Sequence, residues 1–302
     1  MYEQIASNKR RTVLLILVAL LLLGGVGFAL GILLGAGIVG LVIALAIAGF
    51  LSLMSYRYGD RLVLASARAV EVTPEQEPRL YNIVEGLCLA SGLPKPRVYV
   101  IPEQALNAFA TGRNPEHSSI AVTRGLLDSM NRVELEGVIA HELSHVLGRD
   151  ILVGTVVATL VGAIVLIAEF MMRWFWWGGF GGRRGDDRGG GPVTLILFAV
   201  AILLLILSPI IAQIVKFAVS RRREYLADAQ GAMLTRYPPG LASALRKIGA
   251  AQGIPMRSAN NATAHLWLHQ PSRLQGNRVG FMERLFSTHP PIEERIRILE
   301  EM

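Results

Sequence analysis

The chain of 302 residues is long enough for one or two domains, but 52% of it is hydrophobic, more than a soluble core of that size needs, so the excess is expected in lipid. Its single cysteine, Cys88, excludes an intrachain disulfide and a cysteine-rich zinc finger. The net charge of +7 does not mark a nucleic-acid binder, because the basic residues stand largely at the ends of apolar runs (Lys9 to Arg11, Arg57 and Arg61, Arg221 to Arg223) and form no base-reading stripe.

Residues 12–55 carry no charge and are about twice as long as the ~20 residues one helix needs to cross a bilayer. They predict two transmembrane helices joined by a turn between Gly24 and Gly40, kept as a hairpin because no small-residue cleavage region follows. Thr73-Pro74-Glu75-Gln76 reads as an N-cap, a first-turn proline and a capping glutamine, which predicts a helix from there to about Ser91, with Cys88 in its apolar stripe. Short strands are expected at 97–101, 107–111 and 119–123, divided by Pro, Gly and Asn. So small a sheet needs a cover, and the helix expected at 132–147 is long enough to provide it.

Residues 151–172 and 193–219 supply two further spans, the first with Glu169 near its far end. Between them, 173–192 is expected to be an aromatic interfacial belt followed by a disordered glycine-rich loop. Four spans place both termini and the soluble segments on one side, and their juxtamembrane arginines argue for the cytoplasm. The chain then divides into a first hairpin (1–56), one half of a soluble domain (57–150), a second hairpin (151–219) and the other half (220–302).

The chemistry sits on the helix at 132–147, in His141-Glu142-Leu143-Ser144-His145. Imidazoles four residues apart share one helical face, so both can reach a single Zn2+ ion at about 2.0–2.1 Å. Glu142 can point into the space beside the metal and take a proton from a water that the metal acidifies, for attack on a peptide carbonyl. Such a site needs a third protein ligand. Glu169 is too far along, roughly 36 Å from His145 on a continuous helix, and Asp150 would lie about 140° round from it. Glu224 and Asp228 remain, at i and i+4 just after the last span, where a hairpin returns them to the side of the histidines. One would bind the ion and the other take the free N–H of a ligand histidine. His265 and His269 repeat the i, i+4 spacing but have Leu where the base would stand, and a packed helix with one histidine near the site is expected there.

With these motifs in order, together with Asn107-Ala108-Phe109-Ala110-Thr111-Gly112, Arg223 to Asp228 and Thr288-His289-Pro290-Pro291-Ile292-Glu293-Glu294-Arg295, nearly the whole chain resembles the M48 family of membrane-embedded zinc metalloproteases. The resemblance implies a predominantly α-helical integral membrane protein of four transmembrane helices, carrying a cytoplasmic α+β zincin-like domain with a small β-sheet, in the bacterial inner membrane. It implies one Zn2+ per chain on His141, His145 and Glu224, with Glu142 as general base, and leaves Asp228 as the histidine's partner. His289 and Arg295 would lie near the site and stabilise the oxyanion. Asn107, Ala108, Phe109 and Ala110 would form an edge strand along which an extended substrate adds itself. The substrates implied are misfolded or damaged membrane proteins, cleaved as quality control under stress. The competing reading is an inactive membrane scaffold or holdase in which zinc only stabilises the fold; such a site has no use for Glu142.

Overall fold

The computed structural model describes residues 2–33, 35, 37–162, 221–251, 253–259, 263–269 and 290–302. Helices α1 (Tyr2–Leu33) and α2 (Ile38–Ser66) form the expected hairpin. Gly35 and Gly37 take φ values of 72° and 50°, a left-handed turn that glycine adopts without strain, and a Cβ on Gly31 would stand 2.4 Å from the Gly37 carbonyl oxygen. Among the described residues one helix, Ile38–Ser66, is long and apolar enough to cross a membrane. The expectation of four spans is thus met in part. Most of the predicted third span, Glu169, loop 173–192 and the span at 193–219 lie outside the described residues.

Strand β1 (Val70–Glu71) comes next, unforeseen because two residues carry no alternation to read. Helix α3 (Pro78–Ser91) starts later than expected. Thr73 and Gln76 do make the capping contact, Gln76 Oε1 accepting from the Thr73 N–H at 2.9 Å, but it closes an isolated turn. Pro78 has no N–H to continue a helix and its ring drives Glu77 out of the helical region, to φ −134° and ψ 63°, so the helix begins with Pro78 in its first turn. Cys88 is buried within α3 as expected, and burial pushes its thiol up to about 11.

Strands β2 (Arg97–Ile101), β3 (Ala108–Gly112) and β4 (Ser118–Thr123) fall within a residue of their predicted bounds. The sheet order is β1-β2-β4-β3, with β2 and β4 parallel and the other pairs antiparallel, so β3 lies at an edge. Alternate side chains divide between two cores. Val98, Val100, Ala108, Ala110, Ile120 and Val122 join the helix-covered core, while Tyr99, Ile101, Phe109 and Ala121 pack with Val63, Leu64 and Ala67 from the end of α2. Helix α2 runs past position 56, and its last turns pack on the sheet.

After a short helix α4 (Arg124–Ser129), α5 (Arg132–Leu147) covers the sheet with Leu135, Val138, Ile139 and Leu143. Its bounds match the expectation because the start signal is strong: Asn131 accepts from the Glu134 N–H at 3.0 Å and Glu134 accepts from the Asn131 N–H at 2.8 Å. At its other end Arg149 sits in a left-handed conformation, φ 55°, and the chain turns by 85° into α6 (Asp150–Gly162). Helix α6 packs on the hairpin. Gly59 of α2 lets Thr155 and Thr159 approach, Ser55 hydrogen-bonds Thr159, and Ala19 of α1 meets Val156 and Leu160. Helices α7 (Arg221–Thr235) and α8 (Pro238–Ala250) pack against α5, and α9 (Ile292–Glu300) packs on α8 and α7.

Candidate metal centre

The site forms where α7 crosses α5. Gly231 makes that crossing close, since a Cβ there would stand 3.0 Å from the His141 N and 3.2 Å from its Cα. Glu224 and Asp228 lie on the same buried face of α7, about two turns and one turn before Gly231, so the approach that needs the glycine also delivers both acids to the histidines. Ligand atoms of His141, His145 and Glu224 lie within 4.8 Å of one another.

The Nε2 atoms of His141 and His145 are 3.2 Å apart, and the Glu224 carboxylate oxygens stand 3.9 Å and 3.6 Å from them. The far nitrogens are already committed. His141 Nδ1 meets Asp228 Oδ1 at 2.9 Å and His145 Nδ1 meets Asp150 Oδ2 at 3.3 Å. Protons held on the two Nδ1 atoms leave two Nε2 lone pairs and an anion converging on one buried point, an arrangement that is repulsive unless a cation lies between them. A tetrahedral ion with bonds of about 2.0–2.1 Å spaces its ligand atoms about 3.3–3.4 Å apart, close to the separations found. The donor set therefore fits a divalent ion.

The field around the site leads to the same conclusion. Burial opposes charge on His145, but the Asp150 hydrogen bond and the negative charge of Glu224 outweigh it and raise its pKa to about 9. That surplus of negative potential is what a dication would satisfy with both imidazoles neutral. Glu142 is 2% exposed, and burial pushes its carboxyl up to about 7, against the charge of His145 and with the repulsion of Glu224; the Ala110 N–H favours the ionised form.

Asp150 needs a correction. Counting ~100° per residue along an uninterrupted helix turned it away from His145, but α5 ends at Leu147, and the left-handed Arg149 swings the Asp150 carboxylate back onto the histidine's rear nitrogen. It partners His145 and stands outside the cluster of His141, His145 and Glu224 that could hold an ion. Gly148 just past the helix was the available sign of that break. Arg223, beside Glu224, also meets Asp150 at 3.5 Å.

Arg295 is 1% exposed and lies beneath the ligands. Its Nε and Nη2 donate to Asp228 at 2.8 and 2.7 Å, and its Nη1 approaches Glu224 at 3.7 Å and the Leu268 carbonyl at 3.3 Å. It does not line the cleft above the histidines. Its geometry offers support to the two acids. His289 lies outside the described residues.

The expected substrate strand is partly covered. The Asn107 carbonyl accepts from the Thr123 N–H, so odd-numbered β3 residues bond to β4 and Ala108, Ala110 and Gly112 turn their main-chain groups to the open edge. The Ala108 carbonyl takes the Leu268 N–H at 2.8 Å, and the Gly112 N–H donates to the Thr155 hydroxyl at 3.1 Å. Asn107 is clamped to the main chain of His269 by bonds of 2.7 and 3.1 Å. Ala110 is left between them, lining the cleft beside Glu142. The segment that does this covering was expected to be a packed helix. Only Ala264–Leu266 is helical, as one short turn; beyond it Trp267 is buried edge-on against Phe109, and His265 lines the cleft.

The sequence model described as "Peptidase family M48" matches residues 74–302. A relative described as "Protease HtpX homolog" from Thermoanaerobacter pseudethanolicus is 44% identical across all of this chain and 98% of its own length. Another with the same description, from Caldanaerobacter subterraneus subsp. tengcongensis, is 46% identical over the same shares of both chains. A crystal structure of Ste24p from S. mikatae aligns at 19% identity with a TM-score of 0.46, covering 87% of this chain and 65% of that one.

Proposed function

The chain belongs to peptidase family M48, and from that premise we propose that it is a zinc-dependent endopeptidase that cuts misfolded or damaged membrane proteins at the cytoplasmic face of the bacterial inner membrane. The observation that carries the reading is the convergence of His141 Nε2, His145 Nε2 and the Glu224 carboxylate on one buried point, with a buried glutamate beside it.

His141, His145 and Glu224 hold the ion in this reading. Zinc bound there supplies Lewis acidity, which lowers the pKa of a water and polarises the scissile carbonyl. Glu142 takes the attacking water's proton on its carboxylate and passes it to the leaving amine nitrogen. Asp228 keeps His141 in its Nδ1–H tautomer, and Arg295 fixes Asp228 in turn. A substrate chain pairs with the main chain at Ala110, which places its carbonyl next to Glu142.

The membrane assignment draws support from Ile38–Ser66, the described helix long and apolar enough to cross a bilayer. A site so tethered meets loops emerging from the bilayer ahead of soluble chains.

The test is to purify the protein in detergent, measure bound metal, and follow cleavage of an unfolded membrane protein with and without a chelator. Glu142→Gln should keep the metal and lose cleavage by about 10³-fold or more. Cleavage by that variant at the wild-type rate would refute the mechanism.

A further inference from the structure

The two ligand imidazoles are steadied from different parts of the chain. His141 is backed by Asp228 and Arg295, both from the C-terminal part. His145 is backed by Asp150, and Asp150 is held from the first helix: the Asn8 side-chain N–H group donates to Asp150 Oδ1 and, at 2.9 Å, to the Gly148 carbonyl. Asn8 is 4% exposed, and its main-chain carbonyl accepts the Thr12 hydroxyl at 3.0 Å. A buried amide costs stability unless its hydrogen bonds are made, and these are made to the two residues that form the corner between α5 and α6.

We propose that Asn8 is a positioning residue for the metal centre. By fixing the Asp150 carboxylate it sets the orientation and tautomer of His145, so α1 is a working part of the site as well as an anchor. This rests on the metal role proposed for His145. Without the amide, the Asp150 oxygen that Asn8 holds is left with the long contact from Arg223 among those seen in the described residues, a weaker restraint on its rotation off the imidazole. Partners of ligand histidines typically change metal affinity by about 10–100-fold, and Asn8 acts one residue further out, so about tenfold is expected.

The test measures zinc affinity by chelator competition in four full-length proteins: wild type, Asn8→Leu, Asp150→Ala and the double variant. Leucine is close to asparagine in size and suits an apolar helix; Asn8→Ala takes its place if the leucine protein is not recovered folded. Loss of Asn8 should weaken zinc about tenfold when Asp150 is present and less than about twofold when it is absent, the non-additivity expected of residues acting in series. The metal-free proteins should melt within a few degrees of one another. Equal losses in both backgrounds, or unchanged affinity in the single variant, would overturn the proposal while leaving the metal reading intact. A wild-type protein that binds no zinc would overturn both.

Discussion

Asp228 holds two buried partners with one oxygen, Oδ1 lying 2.9 Å from His141 Nδ1 and 2.7 Å from Arg295 Nη2. Burial opposes its ionisation, but Arg295 and the hydrogen bonds outweigh that and keep its carboxyl below the ordinary range. Replacing it separates its two duties. Asp228→Ala strands a buried guanidinium and should cost about 3–5 kcal/mol of stability, read by denaturant unfolding. Asp228→Asn preserves the shape and should instead lower metal affinity about 10–100-fold. Undiminished affinity in the asparagine variant would remove Asp228 from the support of the site.

Gly231→Ala puts a methyl group 3.0 Å from the backbone of His141, where no side chain can step aside. Alanine gains about 1 kcal/mol of helix propensity, and the displaced contact costs about 1–3 kcal/mol, so stability should fall by about 0–2 kcal/mol in net terms. Metal affinity should nevertheless fall at least about tenfold, because the same displacement carries Glu224 away from the histidines. Metal titration beside a melting curve distinguishes the two.

Ala110→Pro tests where a substrate chain docks. The Ala110 N–H faces the cleft, where it also supports the Glu142 carboxylate, and not β4, so proline removes no rung of the sheet but takes that bond from Glu142 as well as from a docked chain. Metal content should be unchanged, with kcat/KM for an unfolded substrate reduced by more than about tenfold, the loss of at least one main-chain hydrogen bond. Wild-type kcat/KM in this variant would move the docking edge elsewhere.

Acid stability should depend on Glu134. Burial works against its charge, but hydrogen bonds from Lys247 at 2.6 Å, the Asn131 N–H at 2.8 Å and Ser243 at 2.7 Å prevail and hold its carboxyl below the ordinary value. A folded pKa below the unfolded value of about 4.3 gives stability that is complete above that pH and is lost as pH falls through the folded value. Glu134→Gln should therefore cost about 1–2 kcal/mol at pH 7, and the gap from wild type should narrow below about pH 4. A gap of constant size in unfolding measurements at both pH values would contradict this.

Sequence revealed most where one local signal settles a local outcome. Asn131 and Glu134 fix the start of α5, the β-branched runs fix β2 and β4, and the i, i+4 histidines share a face because any helix puts them there. It failed where two signals competed or where the partner came from afar. The capping signal at Thr73 was real, but Pro78 five residues later decided where α3 begins. Asp150 was turned the wrong way because the count assumed a continuous helix. Nothing near Asn8 announces a polar role, since its partner lies 142 residues away. The covering of β3 by Leu268 was hidden for the same reason: main-chain pairing leaves no trace in side-chain pattern.

Helix α2 does not stop where the sheet begins. Its final turns contribute Val63, Leu64 and Ala67 to the packing beneath β3 and β4, and Ala67 closes the helix on them. A helix seated in lipid leans further as the surrounding bilayer thins, and in the proposed membrane setting α2 would pass such a lean to the strand that borders Glu142. On that proposal, the same protein reconstituted with shorter or longer acyl chains should cut at different speeds with its metal equally bound.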